Sequence, residues 1–302
     1  MHFDFSDIKL FLHLAEVENL TKGASAAALS PAAASGRLKA LEEQLQTRLF
    51  YRSSRGLQLT YSGELFLKHA RIISRQVENA KSDFGDLNCD SIGKFRIFSN
   101  TTPITEILPA ALQKFLKTRP QVTVDIQERN TQEIVRGVVE GAADLGFLSV
   151  PSPFDTGELA SLRLTSDRLI LATPADHPLS GMESISFSES LDFPHVGLRE
   201  STLQQYVLDQ ANLLKKRLTM RVLVSSYETL CSMIDAQIGI GVLPESCARR
   251  YVRTGKELNI IELTDPWSIR ERLVIYRDRD ALPMCARVFL DSLSSWKDSG
   301  PP

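Results

Sequence analysis

The feature that most limits how this chain can fold is a single apolar seam. Phe66, Ala70, Ile73, Val77, Ala80, Phe84 and Leu87 recur at steps of four and three, which places them along one edge of a helix. Lys68, Arg71, Arg75, Glu78, Lys81 and Asp83 lie between them as a charged outer face. A helix with one apolar seam must bury it, on its own chain or against a second helix. A seam kept regular over about three heptads favours a partner helix and therefore a homo-oligomer. The same helix divides the chain into a head (1–60), a linker (61–90, with a polar hinge at 88–93) and a larger body (91–302). A chain of 302 residues with 43% hydrophobic and 24% charged residues suits such a two-domain soluble protein.

In the head, Ile8, Phe11, Leu12 and Ala15 are spaced as one face of a first helix, closed by Asn19-Leu20. An Ala-rich stretch, 22–28, has high helix propensity. Ser30-Pro31 then starts another helix, because Ser caps well and Pro is tolerated at the first helical position. Ala34, Leu38, Leu41 and Leu45 form its buried stripe. Its other side carries the small residues Ala32, Ala33 and Gly36, with Arg37 as the long polar donor. A small-residue face allows close approach to a DNA major groove, where Arg reads guanine or clamps phosphate. The same face could equally be a solvated helix surface. The next segment favours DNA: the run from Leu49 to Thr60 reads as strand, turn, strand, and the turn Arg52-Ser53-Ser54-Arg55 holds no acid. That arrangement, a wing beside a helix-turn-helix, suits phosphate contact.

At this point the chain resembles the LysR-type transcriptional regulators. The resemblance rests on Phe11, Ala15, Asn19-Leu20-Thr21, Ala24, Leu29-Ser30, Ser35, Leu38, Leu41-Glu42, Leu49-Phe50, Arg52, Leu59-Thr60 and Gly63. It implies that the helix from Pro31 to about Gln46 is the recognition helix. The expected DNA-binding residues are Lys22, Ser30, Ala32, Ala33, Ser35, Gly36, Arg37, Lys39, Arg52, Ser53, Ser54 and Arg55. Two departures stand out. Pro31 replaces the Gln usual after Ser30, removing a base contact; Gly23 and Ala27 in the preceding helix suggest loose packing there.

From Lys94 onward strand-like and helix-like stretches alternate: Phe95 to Phe98, a helix around Ile107 to Leu116, Val122 to Ile126, a helix around Ile134 to Val139, and Leu145 to Leu148. A second series comes after it, with strands at 169–172, 195–198 and 221–224, helices at 200–214 and 227–236, and Gly239-Ile240-Gly241-Val242-Leu243-Pro244. A closing strand and helix, 272–276 and 286–293, return to the first unit. Such alternation predicts parallel, doubly wound sheets. The expected fold is mixed: an all-α winged helix-turn-helix followed by an α/β domain of two Rossmann-like subdomains. By family resemblance the α/β domain looks like a periplasmic binding protein and binds an effector. Its expected subdomains are 91–164 with 268–302, and 165–267.

Ligands of open α/β units sit beyond the carboxyl ends of the strands. The effector site is therefore expected at Ser99, Asn100, Thr101, Thr102, Thr131, Ser149, Arg199, Ser201, Thr202 and Ser225. Hydroxyls at helix starts are often only caps, but clustered helix N-termini favour an anion, so a small carboxylate is the expected ligand. The expected partners are double-stranded DNA, the effector and further copies of the chain as dimer or tetramer; the resemblance also admits RNA polymerase.

Other functions fit less well. The sequence holds no nucleophile elbow, P-loop or zincin motif, and its five histidines share no spacing with acids. Gly239-Ile240-Gly241 lacks the third Gly of a dinucleotide fingerprint. Four cysteines stand far apart without metal spacing, so no enzyme activity, metal or cofactor is expected. Met1 to Lys9 lacks an export signal and no run spans a membrane, so a cytoplasmic protein is expected rather than an exported solute binder. A net charge of -2 leaves DNA contact to a local patch.

Overall fold

The computed structural model describes residues 3–53, 56–85, 92–199 and 201–294. The head comprises α1 (Phe5–Val17), α2 (Leu20–Ala26), α3 (Pro31–Gln44), β1 (Phe50–Ser53) and β2 (Gly56–Leu59), and runs into α4 (Tyr61–Gly85). Each helix start has a local cause. The Asp4 carboxylate accepts the Ser6 and Asp7 N–H groups, and Asp7 reaches back to the Asp4 N–H. Asn19 caps α2, and Ser30 caps α3 ahead of Pro31. β1 and β2 form an antiparallel hairpin from Phe50↔Leu59 to Ser53↔Gly56.

Phe11, Leu14, Ala24, Ala34, Leu38, Leu41, Leu49, Phe50 and Leu57 form the head's core, joined by Ala70 of α4. Phe11 meets Phe66 edge to face with centroids 4.8 Å apart, so α4 is packed into the head. The packing at Gly23 reverses the sequence expectation. A Cβ there would lie 2.6 Å from Leu14 Cδ2 and 3.1 Å from Leu14 Cα. Gly23 allows α2 to press against α1, so the contact is tight. Gly63 is used similarly: a Cβ would stand 2.1 Å from the Leu49 carbonyl oxygen.

The seam of α4 is only partly covered within the chain. Ala70 is buried, Phe66 and Val77 are half-buried, and Ile73 and Ala80 are exposed. The side chain of Phe84 and residue Leu87 lie outside the described residues, as do 86–91 of the hinge region.

The body begins with β3 (Ile92–Ser99), α5 (Thr101–Glu106), α6 (Leu108–Lys117), β4 (Gln121–Glu128), α7 (Thr131–Val139), β5 (Leu145–Pro151) and β6 (Ala160–Thr173). It continues with β7 (Ser184–Ile185), α8 (Phe187–Ser190), β8 (His195–Leu198), α9 (Thr202–Leu213), β9 (Met220–Val224), α10 (Tyr227–Asp235), β10 (Gly241–Pro244), α11 (Glu245–Val252), β11 (Asn259–Leu263), β12 (Ile269–Tyr276) and α12 (Met284–Ser294). β3 pairs in parallel with β4 and β5, and β8 in parallel with β9, as the alternation predicts.

The strands joining the two units are antiparallel, which corrects the expectation of wholly parallel sheets. β12 lies between β5 and β6 and runs against both, while β10 and β11 pair antiparallel to the far half of β6. β6 is thus shared: Ala160 to Arg168 faces β12, and Leu169 onward faces β10 and β11. The change of partner falls a few residues after the expected boundary at 164/165. In the first unit Phe95, Phe115, Phe147 and Phe289 stack in one core, and Ile134, Val138, Leu148 and Ile275 fill the opposite face. In the second unit Leu169 and Leu171 face one core while Ile170 and Ala172 face the other, as strand alternation requires.

Candidate functional site

On the head, α3 buries Ala34, Leu38 and Leu41 and exposes Ala32, Ala33, Gly36 and Lys39. A Cβ on Gly36 would meet nothing within 4 Å, so this face is open. Lys39 stays in solvent with Glu43 at 3.5 Å. Ser30 is occupied as the cap, its Oγ accepting the Ala33 N–H at 3.2 Å. Lys22 and Ser53 are exposed on α2 and β1. Arg52 extends from the wing to α3, its guanidinium donating to Ser35 Oγ at 3.3 Å, so wing and helix present one continuous surface. Ser54 and Arg55 lie outside the described residues.

Arg37 is placed differently from the expectation of a side chain free to read a base. Its Nε donates to Asp7 at 2.7 Å and its other guanidinium nitrogen to Asp4 at 2.9 Å. It ties α3 to the start of α1, and the Asp7 hydrogen bond holds the guanidinium above its ordinary pKa. The sequence could not show this, because the acids lie about thirty residues upstream and meet Arg37 only once the helices pack.

In the body, a cleft of about 510 Å³ opens where the two units face each other. Asn100, Thr101, Thr102, Thr131, Ser149, Arg199, Ser201, Thr202 and Ser225 all line it, as expected. Ser99 does not: it is fully buried and its hydroxyl donates to the Asn100 carbonyl at 2.9 Å. It sits one strand position too early, so its side chain points to the opposite face. Sequence reading missed Glu128, Arg129, Asn130, Glu133, Tyr206, Tyr227 and Arg270. Tyr206 lies one turn into α9 from Thr202, a spacing that could have revealed it.

Local hydrogen bonds organise the cleft. The Asn100 side chain accepts the Ser149 N–H at 2.9 Å and donates to the Arg129 carbonyl at 3.2 Å, joining the ends of β3, β4 and β5. The helices α7, α9 and α10 begin here, with Asn130, Ser201 and Ser226 as caps. Across the cleft the Thr131 N–H donates to Thr202 Oγ1 at 3.3 Å. Arg270 is held by Asp167 under the floor, Nε to Oδ1 at 2.9 Å. Burial pushes the neighbouring Tyr227 phenol well up. Among the remaining lining charges Glu128 and Glu133 balance Arg129 and Arg199. Both acids already accept hydrogen bonds, Glu133 within the α7 cap and Glu128 from Thr101. The helix N-termini therefore tip the cleft toward anions. The Ser149 hydroxyl, buried at the cleft floor, has no hydrogen-bond partner among the described residues.

A winged helix-turn-helix on a linker helix, followed by two α/β units around a polar cleft, defines a ligand-responsive DNA-binding regulator. Comparison with known proteins makes this specific. Residues 5–64 match the model of the bacterial regulatory helix-turn-helix proteins of the lysR family, and residues 90–297 match the LysR substrate binding domain. The chain belongs to the LysR family.

The uncharacterized HTH-type transcriptional regulator YbhD of Escherichia coli is 26% identical over 301 residues, covering 99% of this chain and 93% of that protein. The HTH-type transcriptional regulator GltR of Bacillus subtilis is 24% identical over 284 residues, covering 94% and 93%. Among solved structures, a full-length OxyR variant from Pseudomonas aeruginosa superposes with a TM-score of 0.76 at 20% identity, covering 99% of this chain and 96% of that one. Full-length CbnR in complex with its target DNA superposes at 0.64 with 19% identity, covering 97% and 100%. The chain is therefore a DNA-binding transcription regulator controlled through an effector-binding domain, and its relatives are named as regulators, not enzymes. Among the described residues no helix is long and apolar enough to cross a membrane.

Proposed function

We propose that this chain acts in the cytoplasm as a homodimer or a tetramer of paired dimers, reading two DNA half-sites. The α4 helix supports the oligomer: Ile73 of its seam is left 40% exposed, and Leu65, beside the seam residue Phe66, 52%. Two reading heads on one symmetric dimer suit a paired operator. In this reading Ala32, Ala33, Gly36 and Lys39 enter the major groove. Ser30, Ser35, Lys22, Arg52 and Ser53 meet the backbone or groove edge, and Arg37 supports them from behind. RNA polymerase is the partner through which such a regulator would act on transcription.

The effector is a small carboxylate held between 91–164 with 268–302 and 165–267. The observation that carries this is the convergence of the N-termini of α7, α9 and α10 on one cleft whose side-chain charges cancel. A carboxylate oxygen reaching the Ser149 hydroxyl would also supply its missing partner. Two measurements test the reading. Selection of genomic fragments by the purified protein should enrich a few sites. Calorimetry with small organic acids, each beside its neutral amide, should show binding by an acid and none by its amide; binding by amides alone refutes the carboxylate.

A further inference from the structure

We propose that α7 is the coupling element between the effector cleft and the DNA-binding head, with Glu140 and Asp144 as the residues through which it holds the linker helix. The inference rests on the cleft being where the effector binds. The two ends of α7 do different work. At its start, Thr131 is nearly buried and bridges the cleft through its N–H to Thr202 Oγ1 at 3.3 Å. Just past its end, the buried Glu140 carboxylate takes Arg136 at 2.9 Å from α7 itself and Arg71 at 3.2 Å from α4, with Lys68 of α4 at 3.9 Å. Four residues on, Asp144 takes Arg75 Nε of α4 at 3.2 Å and the Arg96 N–H at 2.7 Å. Both partners in the Arg75–Asp144 pair are almost fully buried, at 10% and 6% side-chain exposure.

The body of α7 is held as one rigid piece. A Cβ on Gly137 would lie 2.5 Å from the Phe98 ring, and one on Gly146 would lie 2.6 Å from Ile134 Cγ2. The helix is thus pressed on β3 and β5 without room to slide. Nine residues of helix span roughly 13 Å. A change in how α9 meets Thr131 therefore arrives at Glu140 as a tilt, not as local fraying. There it meets a linker helix gripped by these ion pairs, with Ile72 of α4 packed beside them on Gly141. Glu140 serves three cations, so small shifts redistribute those ion pairs at low cost, and α4 carries the result into the head, where Ala70 and Phe66 sit in the core.

The test needs no effector. In the full-length chain carrying Cys89→Ser, Thr131→Cys with Thr202→Cys allows the cleft to be locked by oxidation and released by reduction. Thiol counting confirms the lock; Thr202→Trp, which props the cleft apart, serves where the thiols do not pair. The readouts are affinity for a DNA fragment selected by the wild-type protein and amide exchange across 64–78. Locking or propping should change DNA affinity by about fivefold or more and change exchange in α4. Adding Glu140→Gln should remove that dependence on the cleft while leaving a folded protein by circular dichroism. No change on locking or propping overturns the proposal, as does an undiminished change in the Glu140→Gln background. Either failure leaves the carboxylate reading untouched, because calorimetry on the wild-type cleft tests that separately.

Discussion

His195 should make the second unit of the body sensitive to mild acid. Its ring is almost fully buried at the start of β8, with Nδ1 3.0 Å from the Phe193 carbonyl and Nε2 3.4 Å from Ser190 Oγ. Nδ1 donates to the Phe193 carbonyl, while the Ser190 hydroxyl gives its one proton to the Phe187 carbonyl at 2.7 Å. Burial pushes its pKa from 6.5 down to about 4, against a small opposing pull from the Phe193 carbonyl. The sign comes from linkage. Below pH 6.5 the unfolded chain takes up a proton that the native ring refuses until about pH 4. Stability is therefore full above 6.5 and lost as pH falls through that window. At about 1.4 kcal/mol per pH unit, the loss is about 2 kcal/mol by pH 5 and about 3 kcal/mol by pH 4. Trp267 reports on this core, packed 5.2 Å from Phe187, which in turn stacks 6.3 Å from His195. Urea unfolding followed by Trp267 fluorescence, with Trp296→Phe to remove the second indole, should show that loss between pH 7 and 5. His195→Asn keeps an amide donor but cannot take a proton, and should show about 2 kcal/mol less acid sensitivity. Equal acid sensitivity in the two proteins would refute the reasoning.

Arg37→Ala should lower the stability of the head by about 1 kcal/mol, the modest size reflecting a guanidinium that remains 36% exposed. It should leave the selected DNA sequences unchanged; an altered preference with unchanged stability would restore Arg37 as a base reader. Arg52→Ala should instead weaken binding to all sequences alike and flatten the salt dependence by about one counterion, measured by titration across salt concentrations. Gly63→Ala should cost about 2 kcal/mol or more and depress the melting temperature, because the new Cβ would meet backbone at 2.1 Å. Burial pushes the Cys231 thiol to about 12 and Cys247 to about 11. Peptide-resolved labelling at neutral pH should therefore leave both unmodified until the protein is unfolded.

What the sequence made legible was set by local physics. Ser30-Pro31 marked the start of α3 because capping acts within one turn. The hydroxyls of the cleft could be named because a strand that leads into a helix places its last residues at the ligand edge. What escaped depended on distant partners. The first half of β6, Ala160 to Arg168, reads as a polar stretch and becomes strand only beside β12. Arg37 reads as a free side chain on α3, and only the packing of α1 brings Asp4 and Asp7 to it. Gly23 looked like weak helix and proved a site of close approach, since propensity is overridden by packing. Ser99 failed on parity, where one residue changes the face.

The composition of the α3 face bears on what kind of operator this regulator can read. With Arg37 turned toward α1 and Pro31 in place of an amide, the exposed face offers Ala32, Ala33, Gly36 and Lys39. None of these can form the paired hydrogen bonds by which Arg reads guanine or Asn and Gln read adenine. What small apolar residues can do is approach closely and touch the thymine methyl group. Discrimination should then lean on thymine contacts and on the ease of deforming DNA between half-sites. Replacing thymine by uracil within a selected half-site removes only the methyl and leaves base pairing intact. Such a change should weaken binding several-fold at positions under Ala32 and Ala33, and not at positions between the half-sites. If uracil is tolerated throughout a half-site, the methyl contacts are absent and specificity must arise from DNA shape and half-site spacing.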